Sequence, residues 1–241
     1  MSAAELICLA ETTSTNTWLK QHRGELSNGA AIIAERQTAG RGRTGHEWLD
    51  AEGMLPLSVL LRSPRYPQFI TLGASLAVCE AVELLIGEPL GIKWPNDIIL
   101  RGHKLCGILC ESTANGDSID IICGVGVNIS QSADYFYSAG IPHGGSLMSV
   151  LGISADREQL ARAIADNILR YSEKSFSEYR DEYISRSVTI GKEVRIILPN
   201  AERTAFAEGI SENGHLLCYS DTERFEVSSG EVSVRGLLGY V

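Results

Sequence analysis

A glycine-rich segment with two arginines is the part of the sequence best suited to bind an anion. Residues 40–48 read Gly-Arg-Gly-Arg-Thr-Gly-His-Glu-Trp. Glycine reaches positive φ and lets backbone N–H groups approach a ligand without a Cβ in the way. Arg41 and Arg43 add planar donors for phosphate or carboxylate, and Trp48 offers a flat face on which a ring can stack. The alternative is a solvated basic turn followed by a core tryptophan.

A second segment presents an amide and a carboxylate directly after a proline. Residues 93–97 read Lys-Trp-Pro-Asn-Asp. Because proline cannot donate to a β ladder, Asn96 and Asp97 can face a pocket, where their oxygens would suit ribose hydroxyls or a hydrated Mg²⁺. The alternative is an Asx-turn that ends the strand.

A third segment, residues 104–111, places a lysine at the start of an otherwise apolar strand. Lys104 could there neutralise a carboxylate and the phosphorus centre that it attacks, and Gly107 would leave room for the ligand. The alternative is a lysine that extends its ammonium group into water from the strand edge. Residues 124–128, Gly-Val-Gly-Val-Asn, look like a dinucleotide fingerprint, but no helix follows. We therefore interpret them as a strand whose glycines allow close approach.

Composition and charge disfavour several other classes of protein. The 241-residue chain has 21 Lys and Arg against 30 Asp and Glu, so it lacks the excess of cations that general nucleic-acid binding requires. The N-terminus has no basic lead, and we find no apolar run of membrane-spanning length, so we predict a cytoplasmic protein without a membrane partner. The six cysteines lie mostly in apolar runs, as reduced core residues do, and we expect no zinc site.

The apolar pattern predicts an α+β fold in which helices pack on a mixed, largely antiparallel sheet. Strands are predicted over residues 30–35, 55–61, 91–94, 104–112 and 118–129. Helices are predicted to begin near Thr17, to span 72–86 before Gly87, and to run from Ser154 to about Arg186. From Gly191, short strands at 194–198, 205–210, 216–219, 224–227 and 231–234 predict a small β-barrel. We expect a catalytic domain over 1–188 and the barrel over 189–241.

Five segments occur together in a fixed order along the chain. They are residues 14–16 (Ser-Thr-Asn), 40–45, 93–97, 104–109 and 124–128. In this combination the chain resembles the biotin protein ligase family, and residues 228–233 resemble that family's small C-terminal SH3-like module. The resemblance covers essentially the whole chain and implies a class II synthetase-like catalytic domain. Bifunctional members carry an N-terminal DNA-binding domain, whereas Leu6 here already begins the catalytic pattern, so we expect a ligase without a repressor function.

The resemblance also implies a role for each residue that matches a family motif. Biotin would be bound by Ser14, Thr15, Asn16, Gln37, Arg41, Gly42, Arg43, Lys104 and Gly107. The nucleotide would be bound by Arg41, Arg43, Trp48, Asn96, Asp97, Lys104 and Asn128. Arg43 and Lys104 would be catalytic, and Asp97 would contact Mg²⁺. The family commonly has a further basic residue where His46 stands, so we expect a weaker or pH-sensitive contact with pyrophosphate.

The implied reaction joins a carboxylate to an amine in two steps. Biotin would react with ATP to give biotinyl-5′-AMP and pyrophosphate, and a lysine of a biotin carboxyl carrier domain would then take the biotin. Family resemblance also favours a homodimer. Two alternatives stay open: a lipoate or octanoate protein ligase, which the arginine-glycine loop and residues 93–97 disfavour, and a non-catalytic biotin sensor, which Lys104 and the two loop arginines disfavour.

Overall fold

The computed structural model describes residues 5–45, 48–49, 51–198, 201–220, 223–229 and 233–236. Seven strands form a large sheet: β1 (Leu6–Thr12), β2 (Ala31–Gln37), β3 (Met54–Arg62), β4 (Gly91–Lys93), β5 (Asp97–Leu100), β6 (His103–Asn115) and β7 (Ser118–Asn128). Their order is β1-β2-β3-β7-β6-β5-β4, and only β1 and β2 pair in parallel. The predicted α+β fold with a mixed, largely antiparallel sheet is confirmed.

Helices lie on both faces of this sheet. They are α1 (Thr15–His22), α2 (Ile70–Ile86), α3 (Ala133–Ser138), α4 (Leu147–Leu151), α5 (Arg157–Ser172) and α6 (Arg180–Ser185). The helices α2 and α5 pack on each other and against the sheet, whereas α1 packs on β3 and β7. Side chains alternate along β7, so Cys123 and Val125 join the main core while Gly124 and Gly126 face the other side. The sheet therefore has one apolar core face and one face on which glycines leave space.

The helix α2 is long and apolar. Together with the preceding turn it spans Pro67–Ile86, which contains an 18-residue window with a mean hydropathy of 1.9 and by length and composition alone would suffice to cross a bilayer. The prediction that no run reaches this length was wrong. Of that window 61% is buried, and α2 packs against both α5 and the sheet, as a core helix does. It ends at Gly87, whose φ of 72° gives the left-handed C-cap that the sequence predicted.

Two predicted elements differ from the structure. The helix predicted to continue to about Arg186 ends at Ser172 and is followed by a separate turn and by α6. The reason is a capping box, in which Ser175 N–H donates to Glu178 Oε2 at 2.7 Å and starts a new helical turn. No strand is predicted over 97–100, because Pro95 is expected to end strand pairing there. Asp97 in fact pairs with Lys93 and with Gly107.

The C-terminal residues form a separate antiparallel sheet. Its strands are β8 (Glu193–Leu198), β9 (Ala201–Ile210), β10 (Leu216–Tyr219), β11 (Arg224–Val227) and β12 (Ser233–Gly236), in the order β11-β10-β9-β8-β12. Four of the predicted strands match β8 to β11, and the fifth, at 231–234, lies partly outside the described residues. Closure into an SH3-like barrel and the domain boundary at 188 stay predictions.

A tryptophan joins the two sheets. The Trp94 side chain is 2% exposed, and its Nε1–H donates to the Gly214 carbonyl at 3.1 Å. Gly214 in turn lies against Leu72 of α2, because a Cβ built on the glycine would be 2.6 Å from Leu72 Cδ1. Hydrogen bonding and close packing together hold the C-terminal sheet against the core helix.

Replacing Trp94 with phenylalanine should lower the free energy of unfolding by about 1–3 kcal/mol. The change leaves the buried Gly214 carbonyl unpaired and opens a small void beside it. Urea unfolding followed by circular dichroism measures the loss. Trp18→Phe is the matched control, since the Trp18 indole N–H has no hydrogen-bond partner among the described residues. Equal losses in the two variants would contradict the role given to the Trp94–Gly214 bond.

Candidate active site

One cavity brings the sequence-predicted residues together. It has a volume of about 510 Å³ and lies between the start of α1, the loop 40–49, the strands β5 to β7 and the segment after α3. Every residue given a binding or catalytic role lines it: Ser14, Thr15, Asn16, Gln37, Arg41, Gly42, Arg43, Trp48, Asn96, Asp97, Lys104, Gly107 and Asn128. Segments up to about 110 residues apart in sequence thus meet because β2, β5, β6 and β7 belong to one sheet.

One end of the cavity is an uncharged network of hydrogen bonds. Thr15 donates its backbone N–H and its hydroxyl to Gln37 Oε1, at 2.9 and 3.2 Å. Ser58 Oγ lies 2.8 Å from Thr15 Oγ1 and 2.6 Å from Asn16 Oδ1. Thr15 and Asn16 are each 4% exposed and Ser58 is fully buried. Because buried polar groups need partners, this network fixes the side chains at the start of α1 in one arrangement.

Glycines on β6 and β7 form the floor. A Cβ built on Gly126 would lie 2.6 Å from Trp48 Cε2, and one built on Gly107 would lie 2.8 Å from Trp48 Cζ3. The indole therefore rests on the two glycines, with Lys104 Nζ 5.5 Å from its ring centroid. The Trp48 backbone N–H donates to the Gly40 carbonyl at 3.0 Å, which closes the glycine-rich loop on itself. The interpretation of residues 124–128 as a strand whose glycines allow close approach is confirmed.

The other end of the cavity is charged. Lys104 Nζ lies 2.7 Å from Asp97 Oδ1, and the side chains are 26% and 13% exposed. Arg43 donates to Asn96 Oδ1 at 2.9 Å and to the carbonyl of Ser229, in the loop before β12. Burial lowers the pKa of Arg43, and the nearby Asp97 carboxylate opposes that shift. A guanidinium stays protonated at neutral pH regardless, so two cations converge at this end.

The two asparagines of the predicted site hold backbone segments in place. Asn96 Nδ2 donates to the Ile108 carbonyl at 2.8 Å, which ties the turn before β5 to β6. Asn128 Nδ2 donates to the carbonyls of Gly145 and Lys104, at 3.1 and 3.3 Å. These bonds fix the backbone around Lys104 from two sides. Both asparagines line the cavity.

Sequence reasoning missed three parts of this site. Ser58 had a usable signal, since it is the one small polar residue in the buried strand β3 (Met54–Arg62). Glu111 stood at the end of a recognised segment and received no role, yet it accepts hydrogen bonds from Arg41. Residues 135–136 and 140–144, in and after α3, line the cavity without matching any motif. The structure describes neither His46 nor residues 230–232, so those predictions lie outside the described residues.

The donor set of the described residues does not make a complete metal site. No group of three or more His, Cys, Asp or Glu side chains in the described ranges lies close enough together to hold an ion. Asp97 is a carboxylate at the cavity wall, and one of its oxygens pairs with Lys104. This arrangement fits Mg²⁺ that enters with a nucleotide, because Mg²⁺ in such sites takes most of its ligands from phosphates and water.

Family comparisons agree with the fold and the site. The model of the Biotin/lipoate A/B protein ligase family matches residues 6–128, and that of the Biotin protein ligase C terminal domain matches residues 189–235. The chain belongs to the biotin/lipoate A/B protein ligase family and, within it, resembles the biotin protein ligases throughout its length.

Individual relatives cover nearly the entire chain. The biotin–[acetyl-CoA-carboxylase] ligase of Mycobacterium tuberculosis is 35% identical over 95% of this chain and 88% of its own length. That of Paracoccus denitrificans is 31% identical over 95% of this chain and 100% of its own. The Aquifex aeolicus biotin protein ligase, solved in complex with biotin and ATP, superposes with a TM-score of 0.81 at 33% identity and covers 96% of this chain and 99% of its own.

Proposed function

We propose that this chain is an ATP-dependent biotin protein ligase that forms biotinyl-5′-AMP and then transfers biotin to a lysine of a biotin carboxyl carrier domain. The observation that carries this proposal is a single cavity with an uncharged hydrogen-bonding end and a cationic end, which matches a substrate with a urea head and a carboxylate tail. The two relatives named as biotin ligases, which this chain matches over most or all of their length, support it.

The uncharged end suits the biotin head. A cyclic urea offers one carbonyl acceptor and two N–H donors, and the network around Thr15, Asn16 and Ser58 contains hydroxyl donors and an amide oxygen acceptor. Beyond it, the Trp48 indole lies on the glycine floor, and its flat face is assigned to the adenine of the nucleotide. Hydrogen bonds at a buried site discriminate strongly against molecules that cannot make them. A lipoyl group, which has no urea, would make none of these hydrogen bonds with the network.

The cationic end suits the first chemical step. A carboxylate oxygen of biotin attacks the α-phosphorus of ATP, the new oxygen–phosphorus bond forms, and the bond to pyrophosphate breaks. Two anions repel each other as they approach, so the step needs preorganised positive charge. Lys104, held by Asp97, and Arg43, held by Asn96 and Ser229, are the groups assigned to this task. Mg²⁺ brought with ATP would add charge compensation on the phosphates, with Asp97 as its protein contact.

The second step needs protection from water rather than a protein nucleophile. The amine of the acceptor lysine attacks the acyl carbon, an amide bond forms, and AMP leaves with the electron pair of the broken acyl–phosphate bond. Because water would hydrolyse the mixed anhydride, a loop that covers it preserves the intermediate. The loop 40–48, closed by the Trp48–Gly40 hydrogen bond and anchored through Arg43 to the C-terminal sheet, is assigned this role. Val234 of β12 also lines the cavity, which supports a part for the C-terminal sheet in closing it.

The proposal is tested by pyrophosphate release from ATP with biotin or with lipoate as the acid. We expect pyrophosphate release when the acid is biotin and none when it is lipoate. We also expect transfer of labelled biotin to a purified biotin carboxyl carrier domain. Release only with lipoate or octanoate would favour the alternative ligase, and biotin binding without release would favour a sensor. A cytoplasmic location, a homodimer and the lack of a repressor function are further predictions that this experiment does not address.

Replacing Gly124 with alanine should raise the KM for biotin by about tenfold with a smaller effect on the KM for ATP. The new Cβ would lie 2.9 Å from Asn16 Cγ, so the amide at the uncharged end has to move. Gly209→Ala on β9 is the matched control, because its nearest neighbour would be Leu217 Cδ1 at 3.8 Å. Steady-state kinetics of both variants measure the effect. An unchanged KM for biotin in Gly124→Ala would argue against biotin binding beside Asn16.

A further inference from the structure

One carboxylate beside the cavity contacts both the uncharged end and the glycine-rich loop. Glu111 lies on β6 with its side chain 19% exposed. Its Oε2 accepts a hydrogen bond from Asn16 Nδ2 at 2.9 Å. The same oxygen lies 2.7 Å from Arg41 Nη2, and Oε1 lies 2.9 Å from that nitrogen. Glu111 is therefore the point at which α1 and the glycine-rich loop are connected through the sheet.

These contacts determine which way the Asn16 amide faces. An ionised carboxylate and a backbone carbonyl can only accept hydrogen bonds. Asn16 Nδ2 donates to Glu111 and to the Leu109 carbonyl, the latter at 3.2 Å, so both of its N–H groups are used within the protein. The Asn16 oxygen is consequently directed to the opposite side, where Ser58 Oγ lies 2.6 Å away and Gly124 leaves space. Asn16 thus keeps its acceptor oxygen beside Gly124, which lines the cavity, and a urea N–H requires such an acceptor.

Glu111 also restrains the glycine-rich loop, through its ion pair with Arg41. Arg41 is half-exposed, and an exposed ion pair by itself contributes little to stability. Its carboxylate partner is less exposed and has a second donor, Asn16, so its position does not depend on the loop. A charge-assisted hydrogen bond to such a fixed partner lowers the freedom of the arginine more than a bond between two flexible side chains. The pair would therefore hold this part of the loop beside the uncharged end.

We propose that Glu111 is a positioning residue: it sets the Asn16 amide as an acceptor for a ureido N–H of biotin and holds Arg41 beside the same end of the cavity. This inference rests on the proposed function, since it names biotin as the ligand. It assigns Glu111 to biotin affinity and gives it no direct part in ATP binding.

Calorimetric titration of the full chain with biotin, without ATP, tests the inference. Glu111→Gln keeps the size of the side chain but can offer an N–H to Asn16, so the amide of Asn16 loses its fixed direction. We expect the Kd for biotin to rise about tenfold, the scale of one charge-assisted hydrogen bond, while the KM for MgATP and the Tm stay near those of the parent. Glu11→Gln is the matched control, because Glu11 pairs with Arg36 across β1 and β2 at 3.2 Å and is outside the cavity lining.

A double-mutant cycle separates positioning from general destabilisation. If Glu111 acts through Asn16, the effect of Glu111→Gln should shrink to less than about threefold in an Asn16→Ala background. An unchanged Kd in Glu111→Gln, with or without a lower Tm, would overturn the inference, as would an equal loss in both backgrounds. Parent protein that neither binds biotin nor releases pyrophosphate would instead refute the proposed function, so the two failures are distinguishable.

Discussion

Replacing Lys104 with alanine should lower the rate of biotin-dependent pyrophosphate release by at least ~100-fold, the scale of one lost preorganised charge contact. Lys104 is the second residue of β6, its Nζ lies 2.7 Å from Asp97 Oδ1, and hydrogen bonds with Asn128, His143 and Gly145 fix its backbone. The ammonium group is thus placed before substrates arrive. Without it, one positive charge fewer offsets the repulsion between the biotin carboxylate and the α-phosphate as they approach each other.

Two further variants distinguish lost charge from lost packing in this experiment. Lys104→Met retains most of the side-chain length and should be as slow as Lys104→Ala. Lys20→Ala, at an exposed position of α1, should release pyrophosphate at the parent rate. Thermal melting of each variant checks that the fold is retained. A rate for Lys104→Ala within a few-fold of the parent would remove Lys104 from the first step.

Replacing Arg43 with glycine should release biotinyl-5′-AMP about 10 to 100 times faster while leaving its formation measurable, because two charge-assisted hydrogen bonds are lost. In the structure Arg43 donates to Asn96 Oδ1 and to the Ser229 carbonyl, and so links the loop to β5 and to the C-terminal sheet. Without those bonds, the loop covers the intermediate for less of the time. The mixed anhydride then escapes or meets water before the acceptor lysine attacks.

Rapid gel filtration followed by quantification of bound and free biotinyl-5′-AMP measures this retention. Arg43→Ala tests whether the faster release comes from the flexible glycine backbone or from the missing guanidinium. We expect Arg43→Ala to release the intermediate as fast as Arg43→Gly. An intermediate held as long as in the parent would contradict the assignment of Arg43 to the cover.

The residues that line the cavity could be predicted from the sequence because the motifs contain glycines that determine how closely the backbone and a side chain can approach. Glycines at 107, 124 and 126 leave the space in which Trp48 and Asn16 lie, and an added Cβ at any of them would collide. Strands β2, β3, β6 and β7 were predictable for a similar reason, since each is a long apolar run bounded by turn residues. The prediction was simplest for β3 and β7, which are buried on both faces along most of their length.

Contacts between residues far apart in the chain could not be predicted from the sequence. The Lys104–Asp97 and Arg41–Glu111 pairs depend on strand register and on loop position, neither of which a linear pattern specifies. The residues around α3 reach the cavity only because Gly145 N–H donates to the Lys104 carbonyl and Lys104 N–H donates to that of His143. Polar side chains without a motif, such as Ser58, acquire their meaning from these contacts.

The central claim is that a cationic loop and a single ammonium group meet at the bond between the biotin acyl group and AMP. The most direct measurement is a crystal structure of the full chain with biotinyl-5′-AMP. We predict the urea beside Asn16, and the acyl-phosphate within hydrogen-bond distance of both Lys104 Nζ and the Arg43 guanidinium. A ligand bound elsewhere, or bound in the cavity with Lys104 and Arg43 directed away from the acyl-phosphate, would contradict the account.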